Sequence, residues 1–127
     1  MKLFEIALPM FTNAGLDYDE AQEAWRRTAL SVAGGFTDFG EHCGYWMDGD
    51  RLYQDQVRIY RVACDPAKWK VLIDAAFNLF SDQEAIFYAE IGEAVNHTRK
   101  GWLKYSATAA NPETRRYHDC GDFQPED

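Results

Sequence analysis

No run of this 127-residue chain reaches the roughly 18–20 apolar residues that a membrane-spanning helix requires. The first residues also lack a basic stretch followed by a signal-length apolar core. Both absences argue for a cytoplasmic protein with no membrane partner. Cysteine is scarce: Cys43, Cys64 and Cys120 are widely spaced and odd in number, which suits free thiols in a reducing compartment better than a disulfide framework. Positive charge is scarce as well. Thirteen Lys and Arg against 21 Asp and Glu leave a formal charge of -8, which disfavours simple binding to a phosphate backbone, so no nucleic acid is expected as a partner. The Arg115-Arg116 pair is too small to reverse that. Gly34-Gly35 and Asp48-Gly49 are not followed by the lysine and hydroxyl residue of a phosphate-binding loop and read as turns. His42, His97 or His118 with Cys120 lack the compact spacing of a zinc site. The sequence thus calls for no metal and no cofactor.

What is present is a well-patterned globular chain. At this length one domain buries roughly two-thirds of its unfolded-chain surface, and 46% hydrophobic with 15% aromatic residues supply the material. Residues 2–10 alternate as a first strand, with Phe4, Ile6 and Leu8 on one face and Leu3, Glu5 and Ala7 on the other. A helix is expected from about residue 17 or 19 to 32, with acids Asp19 and Glu20 at its positive end and an inward stripe of Ala21, Ala24, Trp25, Thr28, Ala29 and Val32. Gly34-Gly35 stops it. A second strand over 36–46, a hairpin turn over 47–50 and a third strand over 52–64 follow. Asp65 and Pro66 start a second helix that runs through Leu79. It buries Trp69, Leu72, Ile73, Ala76, Phe77 and Phe80.

Residues 79–91, LFSDQEAIFYAEI, read as a helix end, a short polar turn and a fourth strand. Ala85, Phe87, Ala89 and Ile91 share one face; Glu84, Ile86, Tyr88 and Glu90 share the other. The order βαββαβ predicts a ferredoxin-like α+β sandwich, one four-stranded antiparallel sheet with two covering helices. The domain is expected over 1–105, with Trp102, Leu103 and Tyr105 as packing anchors, and a polar tail over 106–127.

If the helices cover Phe4, Ile6, Phe87 and Ala89, the free face displays Glu5, Tyr88 and Glu90, with Arg58 and Tyr60 approaching from the third strand. These five residues form the candidate site. Glu90 and Tyr88 are the expected catalytic groups, and Glu5, Arg58 and Tyr60 the ligand-binding ones. Two carboxylates beside an apolar wall can acquire unequal proton affinities and divide acid and base roles. Arginine binds a carboxylate or phosphate, and tyrosine shields a cation or donates a hydrogen bond. The competing reading is a salt-bridge and aromatic network between subunits. An open face carrying Ile86 and Val62 also points to a homo-oligomer. His42-Cys43 is a weaker candidate, because adjacent strand residues face opposite ways. Asp55 reads as a turn contact, and Trp46 and Trp69 as packing residues.

The segments FEIALP (residues 4–9), AGGFT (33–37), GYW (44–46) and LFSDQEAIF (79–87) resemble an uncharacterised family of small bacterial and phage-associated proteins over residues 2–92. In size and βαββαβ order the chain is more distantly similar to the phage enzymes that cleave S-adenosylmethionine. That resemblance implies a sulfonium substrate between subunits, with Tyr60 or Tyr88 around the cation and Glu5 or Glu90 orienting its amino-acid portion. The sequence therefore leads to an oligomeric small-molecule-binding protein with a nucleotide-like ligand. An S-adenosylmethionine lyase and a non-enzymatic assembly protein are the alternatives.

Overall fold

The computed structural model describes residues 1–95. The expected anchors Trp102, Leu103 and Tyr105, the boundary and tail after residue 105, and His97, His118 and Cys120 lie outside the described residues. Residues 1–94 form one compact unit.

The elements follow as β1 (Lys2–Pro9), α1 (Asp19–Ala33), β2 (Thr37–Asp48), β3 (Arg51–Cys64), α2 (Pro66–Leu79) and β4 (Phe87–Glu93). All strand pairs are antiparallel, in the order β2-β3-β1-β4. This is the expected ferredoxin-like sandwich. Its core arises from alternation: Phe4, Ile6 and Leu8 of β1 and Tyr60, Val62 and Cys64 of β3 point to the same side, where α1 and α2 bury them against Trp25, Ala29, Trp69, Leu72, Ala76 and Phe80. Each large apolar side chain removed from water there contributes about 1.5–3 kcal/mol. The Phe4 and Trp69 rings stack at 4.6 Å and 3°, tying α2 to the central strand.

Helix boundaries follow local chemistry with one departure. Gly34, at φ 84°, donates its N–H to Leu30 O and closes α1. Asp65 occupies the cap position of α2 but its side chain makes no capping hydrogen bond, so Pro66, pre-set for helix by its ring, marks that start. Phe77, expected in the core, is 42% exposed.

The fourth strand corrects the expected facing. Ile6 pairs with Tyr88 and Phe4 with Glu90, and directly paired residues in an antiparallel ladder share a face. Tyr88 and Glu90 therefore lie on the helix side. Phe87 is on the open face and 74% exposed. Val62, expected on the open face, is in the core at 1% exposure. Ile86 packs partly buried against the same core.

The β2–β3 hairpin outgrows the rest of the sheet. β1 meets β3 only from Val57 to Cys64, whereas β2 pairs with β3 all the way to Asp48↔Arg51. Residues 51–56 of β3 and 43–48 of β2 thus form a two-stranded arm about 17 Å long. Where the arm leaves the sheet, Met10 donates its N–H to Gln56 O and ties the chain just beyond β1 to β3. The turn is two residues, Gly49 and Asp50, tighter than the expected 47–50, with Gly49 at φ 62°. At the arm's base the β2 register shifts between Asp38 and Glu41. Gly40 sits in that bulge at φ 80° and donates its N–H to Asp38 Oδ1 at 2.8 Å.

Candidate functional site

The structure divides the five candidate residues between two sides of the sheet. Tyr60 is wholly buried. Its hydroxyl donates to Gln22 Oε1 at 2.6 Å and accepts from Arg26 Nη1 at 2.9 Å. Gln22 Nε2 in turn donates to Leu8 O and Pro9 O. Burial pushes the Tyr60 phenol up, opposed by the nearby Arg26 guanidinium. Tyr60 is an internal strut joining β3 to α1 and the end of β1, which corrects its expected role in shielding a ligand at the surface.

Arg58 faces the same side nearer the sheet edge. Its Nε lies 3.0 Å from both Asp38 carboxylate oxygens and its Nη2 2.8 Å from Oδ2. That bidentate grip raises the guanidinium's proton affinity. It commits Arg58 to holding the β2 bulge rather than to a free anion.

Tyr88 packs edge-on against Trp69 at 5.8 Å and is 47% exposed. Glu90, two residues along, is exposed. Lys2 is held protonated beyond its usual range by its hydrogen bond to Glu93 and by the nearby Glu90 and Glu93 charges. Tyr88 and Glu90 thus share one strand and one side, but the core residues Phe4 and Ile6 stand between them and β3.

Glu5 alone reaches the open face. Its partner is Arg61, directly opposite on β3, with Nε 2.9 Å from Oε1. The Arg61 guanidinium also lies 4.8 Å over the Phe39 ring. The paired carboxylates expected of Glu5 and Glu90 are therefore not assembled.

The adjacent His42 and Cys43 also diverge. His42 pairs with Val57 and its Nε2 is 3.0 Å from Phe39 O, while Cys43 pairs with Gln56 and its Sγ accepts from Gln54 Nε2 at 3.8 Å. Among the described residues no group of three or more His, Cys, Asp or Glu side chains is placed to hold a metal ion.

Sequence reasoning missed the arm. Tyr45, Trp46, Met47 and Leu52 project from it at 62%, 46%, 60% and 62% exposure. Trp46 and Tyr53 stack across it at 6.5 Å, and the Arg51 guanidinium lies 5.0 Å over the Tyr53 ring. The signal available was length: the second and third strands are readable as longer than the first.

No protein-family model matches the chain, and no curated protein matches it. Solved structures do. CutA1 from Pyrococcus horikoshii aligns at 17% identity over 83% of this chain and 93% of that one, with a TM-score of 0.54. The divalent cation tolerance protein CutA1 from Thermus thermophilus aligns at 9% identity over 82% and 92%, with a TM-score of 0.58. The periplasmic divalent cation tolerance protein CutA from Archaeoglobus fulgidus aligns at 14% over 82% and 92%, at 0.53. The likeness is one of fold. It overturns the resemblance to phage-associated proteins and S-adenosylmethionine-cleaving enzymes: the matching chains are CutA1 proteins, and of the residues expected to hold a sulfonium substrate Tyr60 is buried in the core, Tyr88 and Glu90 lie across β1 from it on the helix side, and Glu5 is on the open face.

Proposed function

We propose that the chain works as a homo-oligomer that binds a small cationic ligand, of the divalent-cation class, where its copies meet. The arm is the observation that carries this reading. A two-stranded ribbon presenting Tyr45, Trp46, Met47 and Leu52 to water is marginal by itself and gains stability by covering its apolar side chains. An antiparallel ladder of this length extends away from its own sheet. A second copy offers the apolar open face, with Phe39 and Phe87, as a receiving surface.

Three features support the cation class. The chain carries a formal charge of -8. An imidazole and a thiol, His42 and Cys43, are exposed near the base of the arm. The matching folds include proteins described as divalent cation tolerance proteins. With no ligand set of three among the described residues of one chain, such a site would draw its ligands from more than one copy. A nucleotide-like ligand finds less support, since the aromatic and acidic groups expected to hold it are dispersed.

Two measurements on the full chain test the reading. Sedimentation equilibrium is expected to give a multiple of the 14.6 kDa chain mass, reduced by the paired substitution Met47→Ser with Leu52→Ser. Equilibrium dialysis against Zn²⁺ and Cu²⁺ is expected to show saturable uptake by the assembled protein and weaker uptake by that variant. A monomeric wild type contradicts the assembly. An assembled protein without saturable uptake contradicts the cation.

A further inference from the structure

We infer that His42 and Asp55 are the donors that one copy of this chain gives to its divalent cation, and that Cys43 is not among them. The inference rests on the cation reading above and names the atoms that make it specific.

The hairpin register sorts the side chains at the base of the arm. His42 pairs with Val57, Gly44 with Asp55 and Trp46 with Tyr53, and directly paired residues share a face. His42, Gly44, Trp46 and Asp55 therefore lie on one side. Cys43 pairs with Gln56 and points to the other, where Gln54 Nε2 reaches its Sγ. The sequence neighbours His42 and Cys43 thus do not share an ion. His42 and Asp55 stand diagonally across the ladder, about 7–8 Å apart at the backbone, which an imidazole and a carboxylate can span. Gly44 leaves that gap clear: it is directly opposite Asp55 and next to His42 on the same side, and it carries no side chain. The Trp46 ring leans back over it, so that a Cβ at Gly44 would meet Trp46 Cζ3 at 3.5 Å.

His42 is already oriented as a ligand. Its Nε2 lies 3.0 Å from Phe39 O. A carbonyl oxygen only accepts, so Nε2 carries the proton and the neutral ring keeps its lone pair on Nδ1. Metal-bound histidines are commonly held this way, with the far N–H on a carbonyl that fixes tautomer and ring plane. Phe39 O belongs to the β2 bulge, which the Gly40 N–H bond to Asp38 and the grip of Arg58 on the same carboxylate hold in place.

Asp55 lacks a counter-charge. It is half-buried, and among the described residues its carboxylate meets neither a hydrogen-bond donor nor an ion-pair partner. Arg51, the one guanidinium on this side of the arm, lies over the Tyr53 ring instead. A carboxylate drawn out of water is stabilised by a paired cation or a metal.

One imidazole nitrogen and one carboxylate oxygen suit Zn²⁺, Cu²⁺ or Ni²⁺, with Zn²⁺ bonds of about 2.0–2.2 Å, and give no preference for Cu⁺, which a thiolate would. Two donors leave a coordination shell open. That agrees with the lack of a three-residue set among the described residues of one chain, the remaining positions being filled from outside it.

Equilibrium dialysis of the full chain against Zn²⁺ compares the wild type with His42→Ala, Asp55→Asn and Asp48→Asn, with circular dichroism and sedimentation reporting the fold and mass of each. His42→Ala and Asp55→Asn are expected to weaken uptake at least about tenfold, the loss that removing even an outer partner of a metal ligand brings. Asp48→Asn removes the same charge at the arm's tip, beyond a Debye length, and is expected to change uptake by less than about twofold. Co²⁺ in place of Zn²⁺ reads the donors directly: the bound ion is expected to show visible ligand-field bands and no thiolate charge-transfer band in the near ultraviolet.

Saturable uptake that survives both His42→Ala and Asp55→Asn in folded protein overturns the inference, as does a thiolate band with Co²⁺. In either case the cation reading stands and its ligands lie elsewhere. Absence of saturable uptake by the wild type removes the cation reading itself. If Asp55→Asn does not fold, His42→Ala, at an exposed position, and the Co²⁺ spectrum decide.

Discussion

The Tyr60 hydroxyl donates to Gln22 Oε1 at 2.6 Å inside the core, where the two residues are 0% and 2% exposed. This bond lets a glutamine lie under the sheet, because its amide nitrogen simultaneously serves Leu8 O and Pro9 O. The buried polar atoms of Gln22 are thus satisfied, as a low-dielectric interior requires. Tyr60→Phe keeps the ring and its 5.0 Å contact with Trp25 but strands the Gln22 oxygen. A loss of about 1–3 kcal/mol in urea unfolding is expected. A fully neutral substitution would contradict the strut role assigned to Tyr60.

The turn before β4 predicts acid sensitivity. Asp82 accepts from the Tyr18 hydroxyl, from Asn13 N–H at 2.7 Å and from Gln83 Nε2 at 2.9 Å, and these bonds hold its carboxyl below the usual 3.8. Glu93 is likewise held below 4.5 by Lys2. A carboxyl lowered by folding stabilises the native state above its unfolded value and loses that contribution as pH falls through the folded one. Stability attributable to these two groups should therefore be constant from neutrality down to the ordinary carboxylate range and decline only below it. Chemical unfolding measured at stepped pH should show a smaller acid loss for Asp82→Asn with Glu93→Gln than for wild type, from a lower starting stability at neutral pH.

Gly40 shapes the base of the arm. Its φ of 80° lies in the left-handed region, and a Cβ there would meet no atom within 4 Å, so any penalty is conformational rather than steric. Gly40→Ala is expected to cost about 1–2 kcal/mol, with little change in the core. Hydrogen exchange would localise that loss to β2 on either side of the bulge. A loss spread evenly over α1 and β1 would count against this account.

The fold was legible because its strongest signals are local. The alternation of Phe4, Ile6 and Leu8 and the helical spacing of Trp69, Leu72, Ala76 and Phe80 each survive as the buried set. The site was not legible because it depended on register between strands far apart in sequence. Along β3 both parities are partly apolar, so alternation separated Arg58, Tyr60 and Val62 from Ile59 and Arg61 without saying which set the helices cover. In β4 the apolar Phe87 and Ala89 suggested a covered face. The ladder instead pairs Ile6 with Tyr88 and Phe4 with Glu90, with a register shift between Leu3 and Phe4. Glu5 then finds Arg61, a residue that sequence reasoning had not singled out. The arm was hidden for a different reason: strand length is visible in sequence, but that β1 stops short of it emerges only from pairing.

The most direct test of the central claim is the mass of the intact chain in solution, measured by sedimentation equilibrium over a wide concentration range. The account predicts a closed assembly at a whole multiple of 14.6 kDa, dissociating when Met47 and Leu52 on the arm are replaced by serine. A single 14.6 kDa species at every concentration, unchanged by those substitutions, would contradict it.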